Sequence, residues 1–312
     1  MTGMMIRNEA TVASASWFLA SARERLTGIL DPGSFVEFLP PSERVRSPHL
    51  AQFDLPAAFD DGMIVGRGRL DGRDVLVAAQ EGQFMGGTFA EVSGGKLLGL
   101  IRAAIADPDL PRSILLLLDS GGVRLQEANA GELAVAEVMR AIVEARSAGV
   151  AVVALVGGRA GAFGGAGLTA ATCSRIAISE QGRLGVTGPE VIETNQGVEE
   201  FDSQDKALVW SVTGGRSRRL IGGADAYAED TMTGFRAAAL ALLDSPPPFD
   251  LLTLQAEQER LAERHALFGA CESAVEMWGI LGIADPEAVR DMDDAAFVAI
   301  AAGVKGMDHD AR

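Results

Sequence analysis

Cysteine, histidine and aromatic residues are all scarce in this chain. Two cysteines, Cys173 and Cys271, are too few for a disulfide framework or a four-cysteine zinc ribbon. Three histidines, His49, His265 and His309, lie far apart with no ligand spacing, so no metal site is expected. Aromatics make up 5% of the residues, which leaves the core to aliphatic side chains. No apolar run reaches the length of a membrane-spanning helix. The N-terminal stretch carries Arg7, Glu9, Arg23 and Glu24 among its apolar residues and lacks the plan of a signal peptide, so a cytoplasmic location is the default expectation. Basic residues are outnumbered, 27 to 43, for a net charge of −16, which argues against nucleic acid and anionic membranes as partners. A Walker loop is missing, because Leu97 follows Gly94-Gly95-Lys96 where Ser or Thr is needed. A G-x-S-x-G nucleophile elbow is missing too, and no histidine lies near Ser120 to activate it.

What is present is glycine and aliphatic bulk. The 312 residues are 48% hydrophobic, and the 37 glycines cluster between apolar runs, which indicates an α/β protein with tight turns. Residues 12–30 read as an amphipathic helix ended by Asp31-Pro32-Gly33, and 33–61 as an extended arm. Met63–Gly68 and Asp74–Ala79 read as strands joined by an Asp71-Gly72 hairpin. A glycine-rich turn at 83–88, a helix to about Ile105, a strand at 114–118 and a helix at 128–148 come next. Then come a strand at 150–156, a short helix ending near Cys173, and a strand at 175–179. Strand–helix units of this length imply parallel strands with right-handed crossovers. Residues 204–245 look helical with Gly-Gly breaks, Pro246-Pro247-Pro248 looks like a linker, and 250–303 look helical. The expected division is an N-terminal helix and arm (1–61), an α/β core (62–245) and a helical extension (246–312).

Two glycine pairs stand at the ends of successive apolar strands: Gly121-Gly122 and Gly164-Gly165. Glycine lets backbone amides approach a ligand, and converging amides with a helix start behind them stabilise an oxyanion. Such a site needs no nucleophile, metal or histidine. The loose dinucleotide pattern from Gly165 to Ala170 lies eight residues beyond its strand, out of the context that motif requires. Glu127, Glu190 and Glu193 come after the strand-end turns and are candidates for proton transfer. The stretch Arg216-Ser217-Arg218-Arg219 reads either as a solvated helix face or as a landing patch for phosphates or an acidic carrier protein.

These turns resemble a known family. Asp119 to Glu127 is similar to the D-S-G-G-A-R-x-Q-E segment of biotin-dependent carboxyltransferases, and Phe84 to Thr88 to their F-M-G-G-S turn. Gly185 to Ile192 is similar to their G-x-x-G-P-x-V-I turn, and Ala162 to Gly167 to the glycine loop of the wider crotonase superfamily. The four motifs run in the family's order through residues 63–200. Within that group the chain resembles most the β subunits of biotin-independent malonate decarboxylases, which carry a single crotonase-like half and no zinc ribbon. The resemblance implies a crotonase-like α/β fold and decarboxylation of a malonyl thioester through an enolate. It implies Gly164 and Gly165 as the thioester oxyanion hole, with Gly121 and Gly122 in the companion loop. Substrate binding is expected at Gly86, Gly87, Gly188 and Pro189, and at Arg216, Arg218 and Arg219. The implied partners are a γ subunit with a second crotonase-like domain, an acyl-carrier subunit and a transferase α subunit. No cofactor is expected on this chain; the carrier's CoA-like prosthetic arm is the substrate handle. The alternatives are a carboxyltransferase subunit of a biotin-dependent acyl-CoA carboxylase and a non-catalytic scaffold of the same fold.

Overall fold

A computed structural model describes residues 14–43, 46–47, 49–50, 62–244 and 246–304. Seven strands form one sheet in sequence order: β1 (Val36–Phe38), β2 (Met63–Leu70), β3 (Arg73–Gln80), β4 (Ser113–Leu118), β5 (Ala151–Val156), β6 (Arg175–Ser179) and β7 (Ala226–Ala228). β1, β2 and β3 pair antiparallel; β3 through β7 are parallel. The β2–β3 hairpin turns at Asp71-Gly72, both at positive φ, as the sequence pattern requires.

The continuous apolar runs are explained by two covered faces. Ile114, Leu116 and Leu118 of β4 and Val152, Ala154 and Val156 of β5 face a core shared with α2 (Glu91–Ala106), α3 (Ala130–Ser147) and α4 (Gly165–Thr172). Leu115, Leu117, Val153 and Leu155 face the opposite core, built with α1 (Ala22–Ile29) and α8 (Met232–Asp244). Trp17, fully buried, stacks on Phe235 at 4.1 Å in that second core.

The remaining described helices are α5 (Pro189–Gln196), α6 (Lys206–Thr213), α7 (Gly215–Leu220), α9 (Leu251–Phe268), α10 (Ala274–Ile280) and α11 (Asp294–Gly303). α10 and α11 enclose a small core of Trp278, Ile283, Val289 and Phe297, which also takes Leu220 of α7.

Three expectations need correction. The first described helix is Ala22–Ile29 and not 12–30; Ser21 and Glu24 form a capping box that starts it, and residues 1–13 lie outside the described residues. The arm contains the edge strand β1, while 44–45, 48 and 51–61 lie outside the described residues. The region 204–245 is broken by β7, three residues long and too short to give a pattern.

Candidate functional site

The carboxyl ends of β4, β5 and β6 run on into three loops that bridge one another. Ser120 pairs with Ala162 and Ala162 with Leu184, while Val123 pairs with Phe89. The Ser120 N–H donates to Gly161 O at 2.7 Å and the Phe163 N–H to Ser120 O at 3.0 Å. A short second layer thus sits over the sheet, and the two glycine pairs abut within it. A Cβ on Gly164 would lie 3.2 Å from the Gly122 Cα.

The expected hole of four amides is not what the structure holds. The Gly121 N–H donates to Gly86 O at 3.0 Å and the Gly164 N–H to Val186 O at 2.9 Å. The Gly122 N–H is held by Ser120 Oγ at 3.2 Å. Gly165 is the first residue of α4, where an amide has no intrahelical acceptor, and its N–H has no partner among the described residues. The Val123 N–H is likewise unpaired among them. In its parallel bridge the flanking groups bond Phe89: the Phe89 N–H reaches Gly122 O at 2.8 Å and the Arg124 N–H reaches Phe89 O at 2.7 Å. Val123's own amide therefore points away from Phe89. A Cβ on Gly165 would lie 3.3 Å from Val123 Cγ1, so the two unpaired donors stand on touching residues.

Gly86 and Gly87 brace the first loop. Gly86 O accepts Gly121, and Gly87, at φ +64, lies so close that a Cβ would fall 1.8 Å from Asp119 O. Gly188 caps α5 and Pro189 occupies its first turn, the position where a missing N–H costs nothing. Their turn adjoins the second loop through Val186 O.

The basic stretch is only partly exposed: Arg216 is buried and Arg218 and Arg219 are half-buried. Arg216 donates Nη1 to Val289 O at 2.8 Å and to Arg290 O at 3.0 Å, and pairs with Glu180 at 3.1 Å. It clamps the C-terminal helices to the sheet beside a cavity of about 630 Å³ that Phe18, Trp210 and Trp278 also line. Burial lowers the pKa values of the Arg218 and Arg219 guanidiniums. The cause is Gly214-Gly215, which brings α7 against β6: a Cβ on Gly215 would lie 1.9 Å from Ser179 O.

Two of the three candidate acids are engaged. Glu127 is 1% exposed, pairs with the buried Arg124 at 3.0 Å and accepts the Glu91 N–H at 2.8 Å, so it ties the first loop to the start of α2. Glu193 accepts the Ser203 N–H at 2.8 Å, and hydrogen bonds from Ser203 lower its pKa. The exposed Glu190 carboxylate accepts no hydrogen bond from the described residues. Reasoning from sequence missed Val123 altogether, because the pattern drew attention to glycine while the free amide belongs to the residue after the pair.

A seven-stranded sheet of mixed direction, with a bridged layer of glycine loops over the carboxyl ends of its parallel strands, is the crotonase-like fold. The pattern of the carboxyl transferase domain matches residues 20–232, and the chain belongs to that family. It is 38% identical over 308 residues to the malonyl-S-ACP:biotin-protein carboxyltransferase MADC of Malonomonas rubra, covering 93% of this chain and 96% of that one. It is similar to a chain of the Pseudomonas malonate decarboxylase hetero-tetramer solved with malonate, with a TM-score of 0.77 and 38% identity over 87% of this chain and 99% of that one. A transcarboxylase 12S structure with methylmalonyl-coenzyme A bound matches with a TM-score of 0.60 and 25% identity, over 76% of this chain and 42% of that one. Among the described residues no helix is long and apolar enough to cross a membrane.

Proposed function

We propose that this chain is the β-type subunit of a malonate decarboxylase and removes CO2 from a malonyl thioester borne by an acyl-carrier subunit. The carrier's CoA-like arm presents the thioester, and no cofactor is held by this chain itself. The bond between the carboxylate carbon and Cα breaks, and its electron pair moves onto the thioester oxygen as CO2 leaves. That oxygen is held by the amides of Gly165 and Val123, with the start of α4 behind them. A proton then reaches Cα to give the acetyl thioester, which a transferase α subunit exchanges for malonate.

The observation that carries this reading is the pair of unpaired amides on touching residues of two bridged loops. One such donor is worth about 3–4 kcal/mol of transition-state stabilisation. The remaining glycine amides act in the frame, as Gly86, Gly87 and Gly188 do, and the carboxyl-end surface carries exposed Leu125, Val186 and Val191. Apolar side chains at a mouth of this kind support a γ subunit as its cover.

A second reading rests on the similarity to a biotin-protein carboxyltransferase. There the carboxyl carbon would bond to a biotin nitrogen, and the proton displaced from that nitrogen would go to Cα. One experiment separates the two. The complex is purified from its host, given malonyl-carrier thioester labelled in the free carboxyl group, and assayed with and without excess avidin. Labelled CO2 released at an unchanged rate under avidin supports the decarboxylase reading. Release abolished by avidin, with label found on a biotin protein, overturns it in favour of carboxyl transfer. Absence of any turnover in the assembled complex leaves the non-catalytic scaffold.

A further inference from the structure

One buried carboxylate joins the two glycine loops. Asp119 comes directly after β4, and its own backbone leads into the first loop. Its Oδ1 accepts the Ala160 N–H of the second loop at 2.7 Å. Its Oδ2 accepts Nη1 of Arg25 at 2.8 Å, with the Arg25 and Asp119 side chains 1% and 4% exposed. Arg25 belongs to α1, on the opposite face of the sheet from α4, and its Nε donates to Trp17 O at 2.9 Å, which fixes its orientation. The space around the carboxylate is kept open by glycine. A Cβ on Gly82 would fall 2.5 Å from Oδ2, and one on Gly158 would fall 2.1 Å from Cγ. The Asp119 N–H donates to Gln80 Oε1 at 3.2 Å, and Gln80 Nε2 reaches Gly87 O, so the third glycine turn is drawn into the same set.

A buried ion pair is a poor way to gain stability, because desolvation offsets most of the attraction. Two apolar side chains would fasten α1 to the sheet as well as Arg25 and Asp119 do. They could not accept the Ala160 N–H. Val123 lies four residues after Asp119, and Gly165 lies five residues after Ala160. We propose that Asp119 is a positioning residue: by bonding Ala160 it sets the spacing of the Val123 and Gly165 amides, and Arg25 holds the carboxylate in the orientation that does so. A misplacement of about 1 Å at reacting groups costs on the order of a hundredfold in rate.

The inference rests on the malonyl-thioester reading, and wild-type turnover tests that reading separately. The decisive comparison is between two double variants in the assembled complex. Asp119→Asn with Arg25→Met keeps an oxygen for Ala160; Asp119→Ala with Arg25→Met keeps none. Both lack the ion pair and the buried cation; the Ala pair also leaves the Ala160 N–H without an acceptor and is the less stable, so kcat is compared at a temperature where unfolding curves show both folded. The expected result is a kcat for the Asn pair at least about tenfold above that of the Ala pair, with KM for malonyl-carrier thioester within about threefold. Equal kcat values at a temperature where both are folded overturn the proposal. Hydrogen exchange of residues 160–165 gives a readout independent of turnover: it should be faster in the Ala pair, and equal exchange counts against the link. Gly158→Ala provides a second route, since its methyl displaces the carboxylate without changing it. The variant should lose kcat and quicken the same exchange; normal kcat and normal exchange would overturn the proposal.

Discussion

The two glycine pairs look alike in sequence and do different work. Gly121-Gly122 follows β4 after Asp119-Ser120 and runs on as a bridge to Phe89; the Gly121 amide bonds Gly86 O of the neighbouring turn and the Gly122 amide bonds Ser120 Oγ of its own loop. Gly164-Gly165 closes the loop of residues 157–163 that follows β5 and starts α4. Gly164 turns at φ +53 and bonds Val186 O, while Gly165 inherits the unpaired amide that every helix start exposes. The difference teaches that glycine supplies close approach, whereas the free donor is decided by the element the chain enters after the turn. In the first loop the donor passes to Val123; in the second it stays on the pair.

The largest effect should come from removing the helix-start amide. Gly165→Pro suits the first helical position, where proline's φ is already correct. Its ring needs space, because a Cβ there would lie 2.5 Å from Val135 Cγ2, so Val135→Ala accompanies it. Steady-state kinetics of the assembled complex should show kcat reduced about 10²–10³-fold, against little change for Val135→Ala alone. Activity equal to that of Val135→Ala would remove Gly165 from the chemistry.

A smaller contrast separates the first members of the two pairs. Gly164→Ala forces a side chain onto positive φ and to within 3.2 Å of Gly122 Cα, and should cost about 1–3 kcal/mol in denaturant unfolding. At Gly121 a Cβ meets nothing nearer than Gly86 O at 3.8 Å, and φ is not positive. Gly121→Ala should leave stability unchanged or raise it by about 0.4–1 kcal/mol through the unfolded chain. Equal losses at the two positions would break the comparison.

The sheet was largely readable before the structure. Long apolar runs at 114–118 and 150–156 are buried on both faces, and Asp71-Gly72 names its own hairpin. β1 and β7 were not readable, because three residues carry no period. Ser21 and Glu24 mark the start of α1, a signal that the preceding apolar residues obscured. At the site, the loops and their meeting were readable from the glycines and from the resemblance. The pairing of each amide was not: Gly121 bonds a residue 35 positions earlier and Gly164 one 22 positions later, and local pattern carries no such partners. The partial burial of the cluster at 216–219 was unreadable for a related reason. It comes from the contact of Gly215 with Ser179 O, which a charge count cannot register.

The central claim is that two main-chain donors polarise the thioester oxygen. Isotope-edited infrared spectroscopy of the carrier's acetyl thioester, labelled at the carbonyl carbon and bound in the wild-type complex, tests it most directly. The expected result is a carbonyl stretch lowered from its solution value, returning most of the way in the Gly165→Pro, Val135→Ala complex. A bound thioester whose stretch matches solution would contradict it.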